Sequence, residues 1–182
     1  MSPPKKRSAT RSDLTKSEYD DRRRVKRRIA QSGDEWLHRA VRYLARFDRT
    51  AAQVRRFLTN KGASRTQVLQ VIARLSALRY LDDRAYAARW IQATLARRPM
   101  GLDRLKGELI AKGLGETLAD DAIVEGLGGL DEEMLARRAL DLKRGARKSP
   151  RQRRVSLLRQ RGFAEEIIER IIGDYPSEER AS

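Results

Sequence analysis

A five-residue pattern recurs three times in this chain, and its spacing leaves few folds open. Leu58-Thr59-Asn60-Lys61-Gly62, Leu109-Ile110-Ala111-Lys112-Gly113 and Leu158-Arg159-Gln160-Arg161-Gly162 share a leucine, a cation and a glycine in register, with the glycines 51 and 49 residues apart. Apolar residues follow at fixed distances. Val68 and Ile72, Ala119 and Ile123, and Ile168 and Ile172 stand six and ten residues after their glycines. Asp34, Asp82 and Asp131 recur at nearly the same period. A regular period near 50 marks a tandem repeat, in which each unit is one supersecondary element stacked on its neighbours.

The elements within each unit read as helices. Leu37, Ala40, Val41, Leu44 and Phe47 form one helical stripe, Val68, Val71, Ile72 and Leu75 a second, and Ile167, Ile168, Ile171 and Ile172 a third. No segment keeps a period of two between turn residues, so no sheet is expected. Thr50 with Gln53, Ser64 with Gln67 and Ser149 with Gln152 fit the capping box, and Pro150 suits a first helical turn. The three aspartates suit N-caps, where a carboxylate meets free N–H groups and the positive end of the helix dipole. Each repeated glycine suits the left-handed residue that ends a helix. The expected fold is therefore all-α: three tandem three-helix repeats forming an elongated, curved array. The units span 35–80, 81–129 and 130–175, after a disordered basic arm over 1–34 and before a flexible tail over 176–182.

Charge then narrows the partners. The 182 residues carry 41 Lys plus Arg against 25 Asp plus Glu, a formal +16. Such an excess favours a polyanionic partner and says nothing about fold. It is concentrated in two segments: residues 1–34 hold 11 basic and five acidic side chains, and residues 137–161 hold 11 basic side chains and Asp141. The other 123 residues carry 19 of each sign. The first segment, with its run Arg22 to Arg28, reads equally as a solvated tail or as an arm that becomes helical near 17–31 on contact. In the second, Arg144, Arg147, Lys148, Arg151, Arg153, Arg154 and Arg159 have no acid between 142 and 162, and are the candidate phosphate contacts. Lys61, Lys112 and Arg161 are weaker candidates, since a cation before the terminal glycine also complements the helix dipole.

Catalytic and metal chemistry lack the residues they need. His38 is the single histidine and cysteine is absent, so a zinc site has no ligand set and no disulfide forms. No glycine precedes a lysine, which excludes a P-loop, and G-x-G-x-x-G does not occur. The acid pairs Asp82-Asp83, Asp120-Asp121 and Glu132-Glu133 are explained by helix N-termini and an acidic helix. No cofactor is expected, and the chain reads as a binding protein and not an enzyme. No run of about 18 apolar residues suggests a membrane span, and no apolar leader follows the charged start, so a cytoplasmic protein is expected. Phe47, Phe57, Tyr80, Trp90 and Phe163 lie on or beside apolar stripes and are expected in the core. Trp36, Tyr43 and Tyr86 are the stacking candidates, with burial the default for each.

Three stretches carry a family resemblance. Tyr80-Leu81-Asp82-Asp83-Arg84-Ala85-Tyr86-Ala87 resembles the signature that follows the first repeat of RecX proteins. Gly101 to Leu114, with Gly107-Glu108-Leu109-Ile110-Ala111-Lys112-Gly113-Leu114 at its end, is similar to their second-repeat signature, and Leu158 to Phe163 to the third. Arg84 stands where the family often has an acid, and Ala63 where a larger apolar residue is usual. The resemblance covers roughly residues 36–175. It implies a monomeric, cytoplasmic regulator of the recombinase RecA that binds the RecA–single-stranded-DNA filament in its helical groove. It further implies inhibition of strand exchange, ATP hydrolysis and coprotease activity in DNA repair and the SOS response. The alternative reading is a direct DNA- or RNA-binding protein, such as a nucleoid or transcription factor. Acids on the third helices, Glu116, Asp120, Asp121 and Glu125 in one and Glu165, Glu166 and Glu169 in another, oppose groove reading there.

Overall fold

In the computed structural model, residues 34–142 and 150–174 are described. Among them are nine helices and no strand: α1 (34–44), α2 (Ala51–Asn60), α3 (Arg65–Ala77), α4 (Asp83–Arg97), α5 (Leu102–Ala111), α6 (Glu116–Leu127), α7 (Glu132–Leu142), α8 (Arg151–Gln160) and α9 (Glu165–Gly173). They form three successive triplets. The expected arm, the Ser149–Gln152 capping box and the expected tail beyond residue 174 fall wholly or partly outside the described residues.

The repeated glycines end α2, α5 and α8 by one device. Gly62, Gly113 and Gly162 have φ of 93°, 91° and 76°. In each case the glycine N–H and the following N–H turn back to carbonyls of the last helical turn. Gly62 N–H donates to Thr59 O at 3.0 Å and Ala63 N–H to Leu58 O at 3.1 Å. Gly113 and Leu114 donate to Ile110 O and Leu109 O, and Gly162 and Phe163 to Arg159 O and Leu158 O. This pair of hydrogen bonds satisfies carbonyls that a helix end leaves open, and it turns the chain into the third helix.

Caps at the helix starts follow the sequence with two changes. Thr50 and Ser64 form full capping boxes with Gln53 and Gln67. Asp82 and Asp131 accept from Ala85 N–H at 2.9 Å and Met134 N–H at 2.7 Å. Residue 34 is already helical, however, and the Asp34 carboxylate takes the Arg74 guanidinium at 2.7 Å. Pro150 is the residue before α8, where its carbonyl receives Arg153 N–H at 2.9 Å.

Buried apolar side chains form two clusters. One joins Ala40, Val54, Leu58, Val71, Ile72 and Leu75 of the first triplet, closed by Leu81. The other runs from Tyr86 to Ile172 and is shared by the second and third triplets, with Ile91, Leu105, Leu109, Leu135, Leu140, Leu158 and Ile171 fully enclosed.

The triplets meet where second helices touch end to end. At the first junction the start of α2 lies against the end of α5: Thr50 Oγ1 donates to Lys112 O at 2.7 Å, and Ala51 N–H donates to Asp83 Oδ1 at 2.8 Å. At the second, the start of α5 lies against the end of α8: Gly101 N–H donates to Arg161 O at 3.1 Å, and Leu102 N–H donates to Glu132 Oε1 at 3.2 Å. The participating positions correspond across the repeat. A positive helix start thus faces a negative helix end twice, and unsatisfied backbone groups on both sides find partners. The adjacent acids divide the work. Asp82 and Asp131 cap their own helices, while Asp83 and Glu132 cap the second helix of the preceding triplet.

Thr50 is fully buried and both donates across the junction and accepts from Gln53 N–H at 3.2 Å. Thr50→Val keeps the shape and strands both partners, so it is expected to destabilise the protein by about 2 kcal/mol. The check is a lower urea midpoint at unchanged slope, with Thr50→Ser close to wild type.

Candidate functional site

The cations expected to contact phosphate separate sharply once their helices are placed. Arg144, Arg147 and Lys148 lie outside the described residues. Arg151 and Arg153 are exposed at the start of α8. Arg154 is corrected: it is 3% exposed, buried with Leu157 and Leu158. Positions i, i+3 and i+4 share a helix face, and that face turns into the core. Arg159 is exposed as well, but it already has a partner. Its guanidinium embraces Glu165 at the start of α9, with Nε to Oε2 at 3.0 Å and a second bond from Nη2 to Oε1. That bond holds the Glu165 carboxyl below its ordinary value and the Arg159 guanidinium above its own.

The three cations before the glycines have different surroundings. Lys61 is exposed. Lys112 places its ammonium 4.8 Å from the centre of the Trp90 ring. Arg161 reaches back to Pro99 O at 3.0 Å, and burial, then the nearby Arg98 and Arg104, lower its pKa. Arg161 therefore braces the second junction.

Three acids of the third helices, Asp120, Glu125 and Glu165, pair with cations, as does Glu133 on α7. Lys106 binds Asp120 at 2.8 Å, Arg84 binds Glu125, and Arg170 reaches from α9 to Glu133 on α7. Among the described residues no three His, Cys, Asp or Glu side chains cluster in a way that suits a metal. No described helix is long and apolar enough to cross a membrane.

Two aromatic expectations are overturned. Phe47 is 65% exposed and Tyr80 56%, whereas Phe163 is buried and Phe57 and Trp90 pack partly against the core. α1 ends at residue 44, so Phe47 leaves the stripe that its spacing suggested. Tyr86 is buried, and burial pushes its hydroxyl pKa up despite the opposing charge of Arg49. It packs in the core and offers no stacking face.

The first triplet holds a surface that charge counting by segment missed. A hollow of about 510 Å³ lies over α1 and the end of α2, lined by Glu35, His38, Arg39, Arg42, Tyr43, Arg46, Phe57 and Lys61. Among the described residues its one carboxylate, Glu35, is taken by Arg39 at 2.6 Å. Tyr43 and Phe57 stack at 4.2 Å with planes 2° apart, and the Arg49 guanidinium sits 5.2 Å from the Tyr43 ring centre and 5.3 Å from that of Phe47. The signal was present as Arg39, Arg42 and Arg46, whose spacing of three and four residues aligns them on one helix face.

Comparisons with known proteins agree with this architecture. Models of the first and second three-helix domains of RecX match residues 37–75 and 82–123. The regulatory protein RecX of Chlorobaculum tepidum is 32% identical over 149 residues, covering 80% of this chain and 91% of that protein. The regulatory protein RecX of Thermus thermophilus is 34% identical over 131 residues, covering 72% of this chain and 85% of that one. A crystal structure of a regulatory protein RecX superposes with a TM-score of 0.68 at 24% identity, over 85% of this chain and 78% of the other. RecX from Lactobacillus salivarius gives 0.63 at 22%, over 80% and 97%. The solved structures support the fold, and the sequence matches extend across most of both partners, so the chain belongs to the RecX family of regulatory proteins.

Proposed function

We propose that this protein regulates the recombinase RecA by binding the RecA–single-stranded-DNA filament. In this reading it works as a monomer in the cytoplasm, lies along the filament groove, and lowers strand exchange, ATP hydrolysis and coprotease activity without catalysis of its own. Membership of the RecX family is the observation that carries the reading. The architecture suits it: three units, set at 35–80, 81–129 and 130–175, joined by repeated end-to-end contacts, can follow a helical track because each touches only its neighbours. The test is RecA turnover of ATP on single-stranded DNA with increasing amounts of the protein. Suppression at or below one protein per RecA is expected. Unchanged turnover together with tight binding to one duplex sequence would favour a direct reader of DNA instead.

We assign filament phosphates to the exposed cations of α8. Changing Arg151 and Arg153 together to Ala should flatten the salt dependence of filament binding by up to about 1.4 units of log–log slope, at about 0.7 per phosphate contact on single strands. The loss should be even across DNA sequences, because phosphate contacts carry no base information. An unchanged slope would return both side chains to solvent.

A further inference from the structure

We infer that a second hollow, between the first and second triplets, is a binding site for a nucleoside phosphate taken up as a small molecule. Its volume is about 410 Å³, within the range of roughly 300–1,000 Å³ usual for small-ligand sites. Val41 and Leu44 of α1 make an apolar wall, and the turn between α3 and α4 brings Arg79 and Tyr80. Arg49 enters from the connection between α1 and α2. Two of these arginines are set at a cost. Arg79 has φ of 58° and is, among the described residues, the one non-glycine in the left-handed region. It follows the end of α3 and stands 49 residues before Gly128, which follows α6 with φ of 56°. Asp82 and Asp131 have the same spacing. The repeat thus has glycine at this turn in the second triplet and arginine in the first, although a left-handed backbone disfavours any residue with a Cβ. A strained position that carries a charged side chain points to a use for that side chain. Arg49 has its Nε buried without a hydrogen-bond partner, beside the Tyr43 and Phe47 rings. An anion held by the rest of that guanidinium offsets the cost of such burial.

The carboxylates that line this hollow are committed elsewhere. Asp48 holds Arg89 at 2.8 Å, and Asp82 accepts from Ala85 N–H as the cap of α4. Among the described residues neither Arg49 nor Arg79 has an ion pair. Two such arginines suit a phosphate dianion, which planar guanidinium groups meet with paired hydrogen bonds. Tyr80 is 56% exposed and offers a ring face, and the wall of Val41 and Leu44 accepts the flat body of a base. Glutamate side chains would use the arginines and leave the ring and the apolar wall idle.

The test is isothermal titration calorimetry of the whole chain with adenosine 5′-monophosphate (AMP) at low salt. The cell contains neither RecA nor DNA, so the outcome is separate from that of the regulatory reading. Saturation at one AMP per chain is expected. Inorganic phosphate and adenosine should each bind at least about tenfold more weakly, since each supplies part of the ligand. Arg79→Gly is the decisive variant. It should weaken AMP binding about tenfold, by removing one charged partner of the phosphate. Its urea midpoint should stay at or above that of wild type, because glycine relieves the left-handed turn. An arginine that served the fold alone would not give that combination. Tyr80→Leu should weaken AMP binding and leave inorganic phosphate binding unchanged, since it removes a ring and no charge. Failure of AMP to saturate the chain at millimolar concentration would overturn the assignment, as would unchanged AMP affinity in Arg79→Gly. Inorganic phosphate binding as tightly as AMP would also overturn it, by removing the base from the ligand. So would displacement of AMP by a lower concentration of triglutamate, which would give the hollow to an acidic protein segment.

Discussion

Gly101→Ala is expected to destabilise the protein by about 3 kcal/mol, at the upper end of what an overpacked site loses. Gly101 begins α5 and lies against the end of α8, where its N–H reaches Arg161 O. A methyl group there would stand 1.8 Å from Gly162 O and 2.8 Å from Phe163 Cα. Both are backbone atoms, held by the turn that ends α8, so no rotamer change relieves the overlap. The two chain segments must separate. Separation then weakens the bonds from Gly101 to Arg161 and from Leu102 to Glu132. Gly107→Ala supplies the contrast six residues later. That glycine is inside α5, and a methyl group added to it would meet nothing within 4 Å, so the change should stabilise the protein by about 0.5–1 kcal/mol. Opposite shifts of the urea midpoint for two identical substitutions in one segment would locate the strain at the junction. Equal shifts would mean that α5 and α8 are not in contact in solution.

The contrast between these glycines also marks how far sequence reasoning reached. Gly62, Gly113 and Gly162 were legible because a helix terminus is a local event: a leucine, a cation and a glycine specify it within one turn. The capping boxes at Thr50 and Ser64 were legible for the same reason. The junctions were not, since Thr50 and Lys112 are 62 residues apart and nothing in either neighbourhood announces the other. The second acids of the pairs were half legible. Asp83 and Glu132 stood at helix starts as expected, yet each caps a helix of the preceding triplet.

The candidate site divides along the same line. Charge totals by segment identified α8 but carried no helical phase, so Arg154 was grouped with Arg151 and Arg153 although it lies on the face of Leu157 and Leu158. Counting also missed Glu165, which stands just past the cation run and binds Arg159 from the next helix. The hollow over α1 escaped because the central segments balance in total while Arg42, Arg46 and Lys61 gather in space. Charge neutrality of a stretch of sequence does not make any one of its faces neutral.

Gly113→Val tests the other junction and should also destabilise by about 3 kcal/mol. Two costs combine. Gly113 has φ of 91°, a conformation in which a β-branched residue loses roughly 1–2 kcal/mol. Its new Cβ would also approach Ala52 Cβ to 2.2 Å, pushing α5 away from α2. Ala52→Gly should separate these costs. Alone it loses about 1 kcal/mol of helix propensity in α2. Combined with Gly113→Val it removes the overlapping atom, so the pair should be about 1 kcal/mol less damaging than the sum of the single changes. This junction lies between the two hydrophobic clusters, and each cluster has its own tryptophan: Trp36 beside the first and Trp90 beside the second. Single-tryptophan variants carrying Phe at the other position therefore report the two clusters separately. In the parent protein the two urea curves should coincide, because the junction couples the units. In Gly113→Val the Trp36 curve should move to lower urea than the Trp90 curve, since the smaller cluster loses its neighbour. Coincident curves at a lowered midpoint would mean instead that the strain is confined to the α5 turn and that the clusters are coupled elsewhere.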